Sequence, residues 1–139
     1  FWLAKAEFPF RNPAWYVNQL DPEVYLSREY APLPQRLKGY VGYAKAIPKI
    51  AADIRANLRT PLPKSYVEYG IRGFGGFADF YRSDVPAVFA GVADPALQKE
   101  FSAANEAAAN KAIEDMAAVA FGYYARLGAA GETGRLLYR

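Results

Sequence analysis

The chain has neither histidine nor cysteine among its 139 residues. Without histidine it lacks the commonest general base in enzymes and the usual base of a catalytic triad. It also lacks thiol nucleophiles, disulfides and the side chains that zinc and copper prefer as ligands. We therefore assign no catalytic, cofactor-binding or metal-binding residue from the sequence.

Long hydrophobic runs and strand-like alternation of polar and apolar residues are also missing. No segment approaches the roughly 18 to 20 apolar residues that a membrane span requires, so we expect no membrane-spanning helix. The composition is still that of a folded domain, with 53% hydrophobic and 16% aromatic residues. The first residue is Phe1 rather than methionine. We take this as a sign that the chain was processed or cut from a longer protein.

The net charge of +3 is unevenly distributed. Between Arg28 and Arg82 ten basic residues accompany four acidic ones, whereas between Asp94 and Leu127 five acidic residues accompany three basic ones. An anionic partner could be steered by this asymmetry. However, the basic residues are spaced singly, and aromatic residues do not alternate with them as in a nucleic-acid stacking surface. We interpret the charges as solvated helix faces and expect no nucleic-acid partner.

Two long stretches carry apolar residues at the intervals of three and four that are typical of amphipathic helices. The first covers about residues 33 to 58, with Arg36 and four other basic residues on faces outside the apolar stripe. Its proline at position 48 predicts a kink or a break into two helices near Ile47. The second covers about residues 63 to 81 or slightly more, with Pro86 marking an end or a bend and a further turn reaching Phe89.

A third stretch gives the clearest helix signal. Asp94 is a good N-cap, Pro95 suits the first helical position, and Gly128 suits the C-terminal cap. These limits predict a helix of about 33 residues, near 50 Å long. A compact domain of this size has a radius of gyration of about 14 Å, so such a helix favours packing against further polypeptide.

The two ends of the chain are less regular. In the first 30 residues we expect a short helix or two joined by loops, with Asp21-Pro22-Glu23 starting the helical turn that carries Tyr25. Residues 129 to 139 resemble the start of another element. The predicted fold is all-α: residues 1 to 139 form one helical segment, an irregular bundle with one long C-terminal helix.

Two groups of residues resemble functional sites but fit structural roles better. The glycines at positions 70, 73, 75 and 76 lack the spacing of a dinucleotide-binding loop or a P-loop. We expect them to let two helices approach closely. The carboxylates of Glu106, Glu114 and Asp115 have no histidine beside them in the sequence. They would suit calcium or magnesium better than zinc, and a solvated acidic face better than either.

The eleven tyrosines are the remaining candidates. A tyrosine hydroxyl can donate a hydrogen bond to an oxyanion or a substrate carboxylate. Buried tyrosines are mostly core residues with satisfied hydroxyls, and we assign that role to most of the set. Tyr123 and Tyr124 are kept as alternatives with a functional hydroxyl. The tyrosines considered include Tyr40, Tyr43, Tyr66, Tyr69, Tyr81, Tyr123 and Tyr124.

A series of short motifs runs through the whole chain. In order they are Arg11-Asn12-Pro13-x-Trp15-Tyr16, Tyr30-Ala31-Pro32-Leu33-Pro34-x-Arg36-Leu37, Ile47-Pro48-x-Ile50, Ala56-Asn57-Leu58 with Pro61 and Pro63, and Leu136-Leu137-Tyr138. The series resembles the front part of the large bacterial family known as domain of unknown function 885. That resemblance implies a mainly helical protein of several hundred residues that is similar to zinc metallopeptidases, with the sequence HExxH on a later helix.

The chain departs from the family pattern at the point that matters for catalysis. An HExxH helix binds zinc through its two histidines and activates the bound water with its glutamate, and this chain has no such helix. The resemblance therefore implies the non-catalytic N-terminal portion of a larger domain. Its partner would be the C-terminal catalytic part of the same polypeptide, and zinc and a peptide substrate would belong to the whole protein. Family members are often exported, which implies a periplasmic or cell-envelope location.

Three functional hypotheses follow. The first is this catalytically silent helical part of a peptidase-like protein, in which Tyr123 could line one side of the substrate cleft. The second is a self-contained helical binding or scaffolding module that presents an aromatic face to a partner. The third is an enzyme that uses only carboxylates and tyrosines.

Overall fold

A computed structural model describes Lys5 and residues 7–59 and 62–113. These residues form only helices, turns and loops, which confirms the all-α prediction. Three short helices come first and three long elements follow. They are α1 (Phe8–Arg11), α2 (Ala14–Val17) with a 3₁₀ turn (Asn18–Leu20), α3 (Glu23–Leu26), α4 (Leu33–Asn57), α5 (Lys64–Phe89), and α6 (Pro95–Glu106) with a π-helical segment (Ala107–Ile113). No helix among these described residues is long and apolar enough to cross a membrane.

Two of the short helices, α2 and α3, begin just after an asparagine or aspartate side chain that accepts a backbone hydrogen bond. The Asn12 Oδ1 accepts a hydrogen bond from the Ala14 N–H at 3.0 Å, and the Asp21 Oδ1 accepts one from the Glu23 N–H at 2.9 Å. Each carboxamide or carboxylate satisfies a backbone donor that the helix itself leaves unpaired. The second contact confirms that Asp21-Pro22-Glu23 starts the turn that carries Tyr25.

Helix α4 is continuous across Pro48, so of the predicted kink or break, the break into two helices is wrong. A proline inside a helix removes one backbone hydrogen bond and costs about 3 kcal/mol. The apolar face of α4 is buried on both sides of the proline, at Ala44, Ile47, Ala51 and Ile54. Burial of one continuous face holds the two halves together, because helix stability in proteins comes mainly from tertiary packing.

Helix α5 is likewise continuous across Pro86 and ends at Phe89. The apolar stripe of the second stretch and its extension to Phe89 are confirmed, whereas Pro86 itself does not end the helix. Val85 and Phe89 are fully buried on either side of the proline. The same explanation applies as in α4, because the buried face continues through the proline.

The third predicted helix begins as expected. Asp94 is the N-cap, its Oδ1 accepts a hydrogen bond from the Leu97 N–H at 3.0 Å, and Pro95 is the first helical residue. After Glu106 the helix changes to π-helical geometry as far as Ile113. The remainder of the predicted helix, its cap at Gly128 and the tail from residue 129 lie outside the described residues.

Helix α6 and the π-helical segment pack against both α4 and α5, which contact each other much less. The short helices lie on the same framework, α2 against α5 and α3 against α4. A ring cluster occupies the centre of this arrangement. The Tyr40 ring lies 5.5 Å from that of Phe89, 5.7 Å from that of Phe101 and 6.2 Å from that of Tyr81, centroid to centroid. We call these four residues the buried aromatic cluster.

The glycines of α5 divide into two pairs. A Cβ atom at Gly70 would lie 2.9 Å from the Pro13 Cβ, and one at Gly73 would lie 2.8 Å from the Val17 Cγ2. These two glycines therefore allow the close approach of α2 that the sequence predicts. A Cβ atom at position 75 or 76 would meet nothing within 4 Å, so close packing does not account for that pair.

Arg36 is buried, whereas the sequence pattern placed it with the exposed basic residues of α4. Its Nη1 donates hydrogen bonds to the backbone carbonyls of Leu26 at 2.9 Å and of Tyr25 and Arg28 at 3.4 Å. The guanidinium thus binds carbonyl groups at and just beyond the end of α3. Burial of a cation is tolerable here because these acceptors replace part of its hydration.

Candidate functional site

A buried asparagine connects the buried aromatic cluster to the backbone. Asn105 is only 6% exposed. The Tyr40 hydroxyl donates a hydrogen bond to its Oδ1, and its Nδ2 donates one to the Tyr81 carbonyl at 2.6 Å. The Tyr81 hydroxyl donates to the Leu20 carbonyl at 2.9 Å, with the Tyr43 hydroxyl 3.2 Å away. These polar groups therefore satisfy one another inside the core.

Burial raises the pKa of the Tyr40 and Tyr81 hydroxyls well above the ordinary tyrosine value, because the interior disfavours phenolate. The neighbouring Tyr43 raises the pKa of both further. Burial also raises the pKa of Tyr43 itself, and its hydrogen bond to Tyr81 opposes that rise. Tyr40 and Tyr81 are thus protonated core residues with satisfied hydroxyls, which confirms the role predicted for them.

An open groove of about 630 Å³ lies between the short helices at the start of the chain and the first turns of α5. We call it the aromatic groove, and its lining residues are Phe8, Asn12, Ala14, Trp15, Asn18, Gln19, Ser65, Tyr66 and Tyr69. Trp15 is 36% exposed and Tyr69 is 55% exposed. Tyr69 is therefore one of the tyrosines that do not have the core role predicted for most of the set.

The rings of the groove stand at steep angles to one another. The Phe8 and Trp15 centroids are 6.3 Å apart with the rings tilted by 56°, and the Phe8 and Tyr66 centroids are 6.4 Å apart with the rings at 89°. Edge-to-face contacts of this kind are favourable for aromatic pairs. The three rings therefore do not form one flat aromatic surface.

Local sequence explains why α2 lies at this position. The cap at Asn12 starts α2 and so places Trp15 on the first turn. Pro13 and Val17 then fit against the two glycines of α5 that leave no room for a Cβ atom. The Tyr16 hydroxyl donates a hydrogen bond to the Pro9 carbonyl at 2.6 Å and fixes α1 beside α2.

None of the described residues that line the groove carries a formal charge. Three of the four charged residues next to a lining residue in sequence take part in ion pairs, and the fourth, Arg11, is exposed beside Asn12. Glu7 lies next to Phe8, and its carboxylate is 3.5 Å from the Arg59 guanidinium. On α5 the Lys64 ammonium is 3.8 Å from the Glu68 carboxylate. The lining of the groove is therefore neutral and offers aromatic rings, side-chain amides and three hydroxyls.

A second cavity, of about 360 Å³, lies where α5 faces α6 and the π-helical segment. Arg82 lines it and donates hydrogen bonds to the Asn110 Oδ1 from Nε at 3.1 Å and from Nη2 at 2.9 Å. The Arg82 Nη1 is also 3.6 Å from an Asp79 carboxylate oxygen. The guanidinium is therefore engaged within the fold.

Of the remaining candidate residues from the sequence analysis, only one lies among the described residues. Glu106 is exposed at the end of α6, while Glu114, Asp115, Tyr123 and Tyr124 lie outside the described residues. Within residues 7–59 and 62–113, no three acidic side chains come together in a group that could hold a metal ion.

Sequence reasoning missed Asn105, although a signal was present. Phe101, Ala104 and Ala108 are all buried on one helix face, and Asn105 falls on the same stripe at a spacing of four from Phe101. A polar residue inside an apolar stripe indicates a buried hydrogen bond.

In comparisons with known proteins, the chain matches no family model, no curated protein and no solved structure.

Proposed function

We propose that this chain is the non-catalytic helical front of a larger zinc-dependent, peptidase-like protein, as the motif series suggests. The observation that supports the proposal is that residues of these motifs form the hydrogen bonds that start the short helices and join them to their neighbours. Asn12 caps α2, Tyr16 ties α1 to α2, and Arg36 holds the end of α3 against α4. Motifs with such roles specify a scaffold, and scaffold positions are what a non-catalytic portion is expected to share with its relatives.

The described residues do not fit the zinc site of such a protein. They include no histidine or cysteine, and no acidic trio stands in for them. In this proposal the metal ligands and the catalytic groups come from another part of the polypeptide. The role of the present chain is to support that part through packing.

The test uses the protein expressed with its natural flanking sequence. The proposal expects a downstream HExxH helix, about one bound zinc per chain by elemental analysis, and cleavage of a peptide library that chelation abolishes. Replacing the HExxH glutamate with glutamine should abolish cleavage and keep the zinc. The 139-residue chain alone should neither bind zinc nor cleave.

Two results would contradict the proposal. One is a natural protein without HExxH. The other is peptide cleavage by the isolated chain, which would instead support an enzyme that works with carboxylates and tyrosines.

The second candidate function, a helical binding module, is favoured by a specific observation. The aromatic groove exposes Trp15 and Tyr69 on a surface that the described part of the fold does not cover. Exposed aromatic residues that are grouped in a groove are a common feature of recognition sites. This function requires neither zinc nor a catalytic portion.

A further inference from the structure

We infer that the aromatic groove binds an uncharged, proline-rich peptide segment in the polyproline II conformation. The inference goes beyond the peptidase proposal and does not depend on it, because residues 8–69 supply every lining side chain. Its basis is the groove's charge, the geometry of its rings and the hydrogen-bonding groups between them.

The absence of charge among the lining residues indicates the class of ligand. The nine lining residues are all neutral in a chain of which 22% is charged. The nearby charges of Glu7 and Lys64 already have partners, in Arg59 and Glu68. A ligand with a net charge would lose hydration on entering and gain no opposite charge in return. The complementary ligand is therefore neutral.

The geometry of the rings indicates the shape of the ligand. The Phe8 ring is inclined by 56° to the Trp15 ring and by 89° to the Tyr66 ring. Prolyl rings of a polyproline II helix project at three residues per turn and can pack against rings that face in different directions. A sugar would be better served by one broad, flat ring face. The volume of about 630 Å³ lies within the usual range of about 300 to 1,000 Å³ for binding pockets.

The polar groups of the groove suit the backbone of a proline-rich peptide ligand. Asn18, Gln19 and Ser65 offer amide and hydroxyl donors along the same groove. A polyproline II segment has no internal hydrogen bonds, and its carbonyl groups remain available as acceptors. Because proline has no N–H, such a ligand needs donors from the protein and few acceptors. Aromatic grooves that recognise proline-rich peptides use this combination of rings and donors.

The experiment titrates the full chain with a capped decaproline peptide, using isothermal titration calorimetry. A capped glycine-serine peptide of equal length and a neutral hexasaccharide serve as comparison ligands. We expect saturable binding of decaproline and none of the comparison ligands. Chemical shift changes in a ¹⁵N spectrum should map to residues 8–19 and 65–69.

Trp15→Ala and Tyr69→Ala should each weaken binding by about tenfold or more, as expected for central aromatic contacts. Tyr30→Ala is the matched control, because Tyr30 is 55% exposed like Tyr69 but does not line the groove. It should leave the affinity unchanged. All three side chains are exposed, so circular dichroism should show the same helix content in the three variants as in the unmutated chain.

Four outcomes would overturn the inference. They are the absence of decaproline binding by the unmutated chain, equal binding of the glycine-serine peptide, preferential binding of the hexasaccharide, and an equal loss of affinity in Tyr30→Ala. Zinc content and peptide cleavage of the larger protein are separate readouts, so failure here leaves the peptidase proposal standing.

Discussion

The molecule has two groups of aromatic side chains that differ in what surrounds them. In the buried aromatic cluster, Tyr40, Tyr81 and Phe89 are fully buried, and both hydroxyl groups have partners. In the aromatic groove, Trp15 and Tyr69 remain substantially exposed. Residue type alone therefore does not separate core aromatics from surface ones in this chain.

The difference follows from the elements that carry the rings. The cluster lies on α4, α5 and α6, which have 25, 26 and 12 residues and enclose it from several sides. The groove lies between α5 and two helices of only four residues each. Elements that short cannot cover rings of this size, so α1 and α2 leave them accessible. Burial makes the cluster part of the hydrophobic core and leaves the groove accessible.

The largest expected difference in the free energy of unfolding comes from replacing one aromatic residue in each region with alanine. Phe89→Ala should lower the free energy of unfolding by about 3 to 5 kcal/mol, because it leaves a cavity in the cluster. Trp15→Ala should lower it by only about 1 to 2 kcal/mol, because the indole is partly exposed and its loss leaves no closed cavity. Urea denaturation followed by circular dichroism measures both. Equal losses would show that the groove is as much a part of the core as the cluster.

The cluster should also make the protein sensitive to alkaline pH. The pKa values of Tyr40 and Tyr81 are raised in the folded state, so above about pH 10 the unfolded chain loses these protons first. The full stability is therefore present below about pH 10. Above it, the free energy of unfolding should fall by about 1.4 kcal/mol per pH unit for each tyrosine.

Tyr81→Phe isolates this effect, because lysines titrate alike in both proteins. Urea denaturation between pH 8 and pH 11.5 should give parallel curves below about pH 10 and, above it, a slope that is shallower by about 1.4 kcal/mol per pH unit in the variant. The difference between the two proteins at pH 8 measures the lost hydrogen bonds separately. Parallel curves across the whole range would mean that Tyr81 ionises without opposing the fold.

A smaller loss is expected from the polar centre of the cluster. Asn105→Leu should reduce the free energy of unfolding by about 2 kcal/mol, because the Tyr40 hydroxyl and the Tyr81 carbonyl both lose a buried partner. Asn110→Leu, on the neighbouring turn, should cost about 0.5 kcal/mol because its contact with Arg82 is exposed. Thermal or urea denaturation distinguishes the two. A neutral Asn105→Leu would show that the network adds no net stability.

The smallest expected changes in the free energy of unfolding concern two glycines of α5, and these changes should differ in sign. Gly73→Ala brings a Cβ atom to 2.8 Å from the branched, rotamer-restricted Val17 and should cost about 1 kcal/mol net of the gain in helix propensity. Gly75→Ala has open space and should stabilise the protein by about 0.5 to 1 kcal/mol. Urea denaturation midpoints measure both. Stabilisation by both substitutions would mean that α2 is free to move away from α5.

The apolar periodicity predicted the long helices well, because a stripe at intervals of three and four directly reports a buried helix face. It did not decide the outcome at Pro48 and Pro86, where local chemistry favours a bend or a break but packing on both sides of the proline keeps the helix continuous. That outcome depends on α6 and the π-helical segment, which contact both helices from a distant part of the sequence. A local pattern does not contain this information.

The groove could not be predicted from the sequence, for a similar reason. Trp15 and Tyr69 are separated by more than 50 residues. They share a surface only because Pro13 and Val17 fit against two glycines of α5. The glycine pattern predicted a close approach of helices but not which helices were involved. The polar residue inside the apolar stripe at Asn105, by contrast, was visible in the sequence and could have been interpreted.

The geometry of Arg36 provides a reporter of motion. Its Nε is buried without a hydrogen-bond partner, while its Nη1 contacts three carbonyls from residues 25 to 28. Water reaches the Nε–H only when this stretch of chain separates from α4. The solvent exchange rate of that single proton, read from one arginine resonance in a magnetic resonance spectrum, therefore times the opening of the N-terminal segment while the long helices stay folded.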